Sequence, residues 1–276
     1  MRCAWKQLLS VLPLRIRPEV DRLGKDSLQE IRLRLHAPPQ LIIKGQAVHL
    51  NGAVSQEDIQ FCINAASQYS PWAAVGLDKG YITAPGGHRI GLCGEVVCKD
   101  GKITGIKNVR SLCIRVARDI SGIGNSAPKE GSVLILGAPG WGKTTLLRDL
   151  IRNRSDRGVQ TGVLDERGEL FPDVGFPCGG CTDILTGCKK AEGIQILLRT
   201  MGPMCIAVDE ITEPEDCTAM LQAAGCGVTL LATAHASDMQ DFKKRNVYRQ
   251  IIERQIFDHV LVLRPDKSWY TERMHP

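Results

Sequence analysis

Residues 137–144 read Gly-Ala-Pro-Gly-Trp-Gly-Lys-Thr and satisfy the pattern G-x-x-x-x-G-K-[ST] in full. Gly137, Gly142, Lys143 and Thr144 hold the fixed positions, with Ala138, Pro139, Gly140 and Trp141 between them. The spacing suits a nucleoside triphosphate, which needs backbone N–H groups that converge on it. Only a chain with little Cβ hindrance wraps that tightly. Thr145 and the residues after it read as a helix whose positive dipole end faces the same anion. Lys143 is placed to reach the β- and γ-phosphates of ATP, and the Thr144 hydroxyl to ligate Mg²⁺.

Further along, three apolar runs end in polar residues. Cys205-Ile206-Ala207-Val208 ends in Asp209-Glu210. An Asp in that position holds Mg²⁺, usually through water, and the Glu beside it can orient and deprotonate the attacking water. Val163-Leu164 ends in Asp165-Glu166-Arg167. Either acid can hold a water on the metal, and each rivals Glu210 as the base. Leu230-Leu231-Ala232 ends in Thr233-Ala234-His235, where Thr233 and His235 can sense the γ-phosphate.

The elements that must carry these residues alternate. Strands are expected at 133–136, 159–164, 205–208, 228–234 and 259–263, with helices near 143–154, 189–201, 215–225 and 238–254. That alternation argues an α/β fold with a mainly parallel sheet, whose ligands bind outside the carboxyl ends of the strands. The strand ending at Leu164 intervenes in the chain between the glycine turn and the acid pair. An extra strand there marks the RecA/AAA-like branch of phosphate-loop enzymes.

Ahead of this core, the pattern is mixed. Residues 4–12 have helical apolar spacing, and Glu30 to Leu35 alternates with period two, as a strand does. Residues 41–43 and 48–50 read as a hairpin, and Ser55 to Asp58 as a helix start. Strands follow at 81–83, 89–93, 95–98, 103–109 and 112–116, with an Asp100-Gly101 turn among them. A smaller α+β N-terminal domain is expected over 1–122, a Gly/Pro-containing linker over 123–130, and the nucleotide domain over 131–276. Charge divides at the same place. Residues 1–130 hold 18 Lys and Arg against 11 Asp and Glu, a balance of +7, and residues 131–276 hold 17 against 19, a balance of −2. A basic first half can face nucleic acid, anionic lipid, a neighbouring subunit's phosphates, or solvent alone.

Apolar content of 43% and charged content of 24% are those of a globular protein. No apolar run is long enough to span a membrane. Arg15 and Arg17 cut the apolar patch near the N-terminus, so no signal peptide is expected. The 11 cysteines are scattered and odd in number, which favours reduced thiols and a cytoplasmic setting. Cys178, Cys181 and Cys188 form one cluster that is either part of a zinc site or a loop of small thiols.

Taken together, EIRLRLHAPP (30–39), GHRIGLCGE (87–95), the glycine loop, VLDERGEL (163–170), TDILTGCKKAEG (182–193), LLRTMGPMCIAVDEI (197–211) and AAGCGVTLLATAHA (223–236) resemble the stage III sporulation protein AA family. That family comprises ATPases of spore-forming bacteria and is similar to the type II and type IV secretion ATPases. The resemblance implies a RecA-like core behind an N-terminal domain and a homo-oligomer, a hexameric ring. It also implies membrane-protein partners in a channel between mother cell and forespore, and a cytoplasmic protein peripheral at that membrane. By this likeness VLDER corresponds to an aspartate box and TAHA to a histidine box. An arginine of the N-terminal domain would neutralise γ-phosphate charge, and Arg89, Arg110, Arg115 and Arg118 are the candidates, with Arg110 preferred. Gly168 departs from the family pattern, where serine is more usual, and Trp141 stands where a small residue is common.

The reading is an ATP hydrolase with ATP and Mg²⁺ as cofactors. Two alternatives stay open: a RecA-like nucleic-acid motor, and an assembly factor gated by nucleotide binding alone. No aromatic-interleaved basic tract is present, so no nucleic-acid partner is expected.

Overall fold

The computed structural model describes residues 3–24, 27–69, 80–172 and 176–274. The chain divides into two units, Met1–Asp119 with Pro172–Phe176 and Ile120–Phe171 with Pro177–Pro276. The division therefore falls slightly ahead of the expected boundary at 122.

The first unit opens with helices α1 (Trp5–Ser10) and α2 (Arg17–Gly24). Strands β1 (Leu28–Arg34), β2 (Gln40–Ile43) and β3 (Gln46–His49) follow, then α3 (Gln56–Ala66) and strands β4 (Tyr81–Ala84), β5 (His88–Lys99) and β6 (Lys102–Arg115). All six strands pair antiparallel in the order β3-β2-β1-β6-β5-β4. The period-two alternation in β1 buries Ile31 and Leu33 and turns Arg34 outward. A capping box opens α3: the Ser55 hydroxyl accepts from the Asp58 N–H, and the Asp58 carboxylate from the Ser55 N–H. The expected strands at 89–93 and 95–98 are one element, β5, with a register shift between Cys93 and Glu95. Gly94 sits at that irregularity, where a Cβ would come within 2.6 Å of the Lys107 carbonyl.

The second unit alternates strand and helix: β7 (Val133–Leu136), α4 (Lys143–Ser155), β8 (Thr161–Asp165), β9 (Thr182–Thr186), α5 (Lys190–Thr200), β10 (Cys205–Ile211), α6 (Pro214–Gly225) and β11 (Thr229–Ala234). Helices α7 (Met239–Lys244) and α8 (Arg249–Arg254) and strands β12 (His259–Leu263) and β13 (Trp269–Glu272) complete it. The sheet order is β13-β12-β7-β11-β10-β8-β9, parallel throughout except that β13 is antiparallel to β12. Every residue of β7 is fully buried, as a central parallel strand covered by helices on both faces requires. The strand separating β7 from the acid-bearing β10 is β11, and β8 lies on the far side of β10. The extra strand is thus not the one that intervenes in the chain.

The expected single helix at 238–254 breaks at Arg245, which has an extended backbone. The break brings Phe242 against Tyr248, stacked with ring centroids 4.5 Å apart, inside the core. Among the described residues no helix is long and apolar enough to cross a membrane.

Candidate nucleotide-binding site

The turn after β7 runs from Gly137 to Gly142 and delivers the chain into α4 at Lys143. Gly142, the residue capping the helix, has φ 102°, a left-handed conformation that a side chain would strain. At Gly137 a Cβ would lie 3.1 Å from the Leu263 Cβ and 3.3 Å from the Lys143 Cγ, so close packing also fixes a glycine there. The Lys143 ammonium turns back on its own loop, donating to the Gly137 carbonyl at 2.8 Å and the Ala138 carbonyl at 3.2 Å. Burial pulls its pKa below the ordinary lysine value, and the charges of Glu210 and Asp209 oppose that.

The acid pair meets this loop directly. The Thr144 hydroxyl donates to Asp209 Oδ2 at 3.0 Å. β10 keeps register with β11 up to Val208 and slips before Ile211, and Glu210 within the slip has φ 55°. A bulge of this kind re-aims side chains at a strand end, and a positive φ on a glutamate is a strained backbone. Thr233 holds it. Its hydroxyl accepts from the Glu210 N–H at 2.8 Å and donates to Asp209 Oδ1 at 2.8 Å. Thr233 is fully buried, so it clamps the bulge and cannot touch a phosphate as a sensor would. Desolvation raises the Asp209 pKa above the usual carboxylate value, against the hydrogen bonds from Thr233 and Thr144.

Glu210 faces His235, with His235 Nε2 2.9 Å from Oε1. The other ring nitrogen, Nδ1, lies 3.3 Å from the Lys143 ammonium. An ammonium has only hydrogens to offer, so Nδ1 accepts and Nε2–H donates to the carboxylate. Lys143, His235 and Glu210 therefore form one chain of hydrogen bonds. On the other side, Arg167 Nη1 lies 3.8 Å from Glu210 Oε2.

The two acids ending β8 part company. The Asp165 carboxylate is buried and accepts the N–H groups of Glu169 (2.8 Å), Leu170 (2.8 Å) and Phe171 (3.1 Å). Both its oxygens hold the loop that follows, which corrects the expectation that Asp165 serves the nucleotide or rivals Glu210. Glu166 pairs with the buried Lys190 ammonium at 2.7 Å, and Lys190 also lies 3.8 Å from Asp216, which caps α6. Glu166 Oε2 is thereby taken up by Lys190. Thr144, Asp165, Glu166, Arg167, Glu169, Lys190, Asp209 and Glu210 line one cleft. Its five carboxylates face two cations, and the oxygen donors of Thr144 and Asp209 suit Mg²⁺.

Beside the loop lies a cavity of about 680 Å³, lined by Trp141, Thr145, Leu146, Leu263, Trp269 and Tyr270 among others. Its size and aromatic walls suit a nucleobase. Trp269 and Tyr270 belong to β13, an element outside the sequence expectations, and so does Lys190 as an ion-pair partner. Lys190 stands at the start of a helical pattern and inside a quoted motif, with no role assigned to it. Arg167 stands in a quoted motif with no role assigned to it.

The four N-terminal arginines have distinct surroundings within their own unit. Arg89 lies 4.0 Å over the Tyr81 ring, Arg115 is 3.8 Å from Glu30, and Arg118 donates to the Leu28 carbonyl. Arg110 is exposed and makes no side-chain hydrogen bond or ion pair with described residues. Cys178, Cys181 and Cys188 are free thiols, and no three metal-ligating side chains come together among the described residues.

The fold is the α/β phosphate-loop fold of solved ATPases, a pilus retraction motor among the structures that share it. The pilus retraction motor PilT, solved with bound ADP, superposes with a TM-score of 0.64 at 17% identity, covering 94% of this chain and 80% of that one. The ATPase DotB of Legionella pneumophila gives 0.58 at 19% identity, covering 94% and 78%. More specifically, the family model for sporulation stage III, protein AA matches residues 4–271. Stage III sporulation protein AA of Bacillus subtilis (strain 168) is 35% identical over 276 aligned residues, covering 93% of this chain and 90% of that one. The chain belongs to the stage III sporulation protein AA family.

Proposed function

We propose that this chain hydrolyses ATP with Mg²⁺. The observation that carries the reading is the 3.0 Å bond from Thr144 to Asp209, which joins the phosphate loop to the acid pair. Thr144 and Asp209 would hold the ion, which when bound neutralises charge on the phosphate oxygens. The backbone of residues 137–142 wraps the phosphates, and Lys143 exchanges its carbonyl partners for phosphate oxygens. Adenine fits the cavity beside Trp141 and Trp269.

Glu210 orients a water and takes its proton. The water oxygen bonds to the γ-phosphorus, and the bridging bond breaks with its electron pair left on ADP. Glu166 is held by Lys190 and is not the base. Lys143 is also bonded to His235, so drawing the ammonium onto a phosphate loosens the ring that holds Glu210. That makes His235 a link between occupancy and base. Arg110 is the candidate finger from the N-terminal domain (residues 1–122), acting on a nucleotide bound by the neighbouring subunit over residues 131–276. The motor would be a hexamer in a sporulation secretion complex between mother cell and forespore, cytoplasmic and peripheral at the membrane. Support comes from family membership and from the likeness to pilus and secretion motors.

The test is Lys143→Ala. It should abolish MgATP binding in a fluorescent-nucleotide titration while leaving the folded circular dichroism spectrum in place. Binding as tight as wild type would sink the reading.

A further inference from the structure

One cation lining the cleft lies beside the acid pair itself. Of the two cations lining it, Lys190 is buried and already committed to Glu166 and Asp216. Arg167 is the other, and its side chain is 43% exposed.

The backbone beneath Arg167 is pinned from two sides. From within, Asp165 takes the N–H groups of Glu169, Leu170 and Phe171. From α4, Arg148 donates to the Leu170 carbonyl at 2.5 Å and to the Glu169 carbonyl at 3.0 Å. Gly168, with φ 65°, turns the chain directly after Arg167, and its N–H bonds to the Asp165 carbonyl at 3.1 Å. A platform built this way fixes the backbone from which the guanidinium extends into the cleft. It also gives the departure at Gly168 a physical role, since a side chain would strain that turn.

Both oxygens of Glu210 have partners, Oε1 His235 at 2.9 Å and Oε2 Arg167 at 3.8 Å. A base held on both oxygens is not free to take a proton from water. An ion pair this open is weak and yields readily to a phosphate, two of whose oxygens match the guanidinium fork.

We infer that Arg167 is an arginine finger supplied in cis: it leaves Glu210 when MgATP binds and stabilises charge on the γ-phosphoryl oxygens as the bridging bond breaks. One movement then releases Oε2 of the base and supplies the cation. The inference rests on the ATPase reading above and is separate from the role proposed for Arg110. Arginines in this position elsewhere act either in cis or from a partner, and are worth about 10³–10⁵ in rate.

The experiment compares wild type, Arg167→Gln and Arg167→Lys as full-length proteins. It measures kcat and KM for MgATP, binding of a non-hydrolysed ATP analogue, and retention of ADP by aluminium fluoride, which mimics the transferring phosphoryl group. Arg167→Gln should lose about 10³-fold in kcat. It should keep analogue binding and lose the aluminium fluoride complex. Arg167→Lys should recover only part of the rate, because an ammonium lacks the fork. A glutamine variant with kcat near wild type overturns the inference. So does one that loses rate yet still traps ADP with aluminium fluoride, since that confines Arg167 to orienting Glu210. A wild type inert to ATP would overturn the ATPase reading itself, a result distinct from either.

Discussion

Chemistry at the level of single side chains comes down to who holds each carboxylate. Asp165 is spent on three backbone N–H groups, Glu166 on Lys190, and Asp209 on two threonine hydroxyls, one of them the proposed metal ligand. Glu210 is the acid whose partners, His235 and Arg167, are both proposed to move on binding. Glu166→Gln should therefore keep most of its turnover, losing severalfold at most as Lys190 is left with Asp216; steady-state assays at saturating MgATP would show it. Thr233→Val removes the hydroxyl that both accepts from and donates to the bulge. Leaving those groups unpaired should cost about 1–3 kcal/mol, read as a lower urea midpoint. The sequence displays all of these acids but not their partners. Asp165 and Glu166 are neighbours with the same chemistry, and only a loop closing on one and a helix start reaching the other separates them. Thr233 looks like a sensor because its strand ends at the cleft, yet that strand is buried from Leu230 to Ala234 and the Thr233 hydroxyl is taken by Glu210 and Asp209.

Among the elements, those with a strong local pattern are legible from the residues alone. The β7 run, the glycine turn and α4 carry the phosphate loop where the motif predicts, and Ser55 starts α3 with the expected capping box. Short edge strands with no periodic signal are not legible: β9 and β13 need the strand beside them to exist. The break between α7 and α8 likewise follows from a tertiary contact, the stacking of Phe242 on Tyr248. In the N-terminal unit, His88 is a buried tie between elements. The Ala117 N–H donates to its Nδ1 at 3.1 Å, so Nε2–H donates to the Ala4 carbonyl at 3.0 Å. Burial pushes its pKa below the ordinary value, with Arg118 adding to that and the Ala4 bond opposing it. The unfolded chain then binds a proton at a higher pH than the folded one does. Stability from this group is complete above about pH 6.5 and is lost as pH falls through the window below it. Denaturant midpoints of the N-terminal unit should drop between pH 7.5 and 5.5, and His88→Gln should flatten that dependence. An unchanged slope in the variant would assign the effect elsewhere.

For the whole molecule, the family and the fold are established, and hydrolysis and assembly are proposed. The fold is shared with the ATPase DotB and the pilus retraction motor PilT, and the sheet order, with β11 between β7 and the acid-bearing β10, puts the two halves of the proposed site one strand apart. If Arg110 completes a neighbour's site, nucleotide should favour assembly. Light-scattering mass is expected to rise with MgATP from the 30.2 kDa chain toward six copies, about 180 kDa, and Arg110→Ala should lose turnover without losing ATP binding. The central claim is narrower: Glu210 activates water against a triphosphate held by residues 137–144. Its most direct test is Glu210→Gln, assayed for MgATP binding and hydrolysis side by side with wild type. The variant should bind as wild type does and hydrolyse about 10²–10⁴-fold more slowly. Turnover at the wild-type rate, or a wild-type protein that binds no ATP, would contradict it.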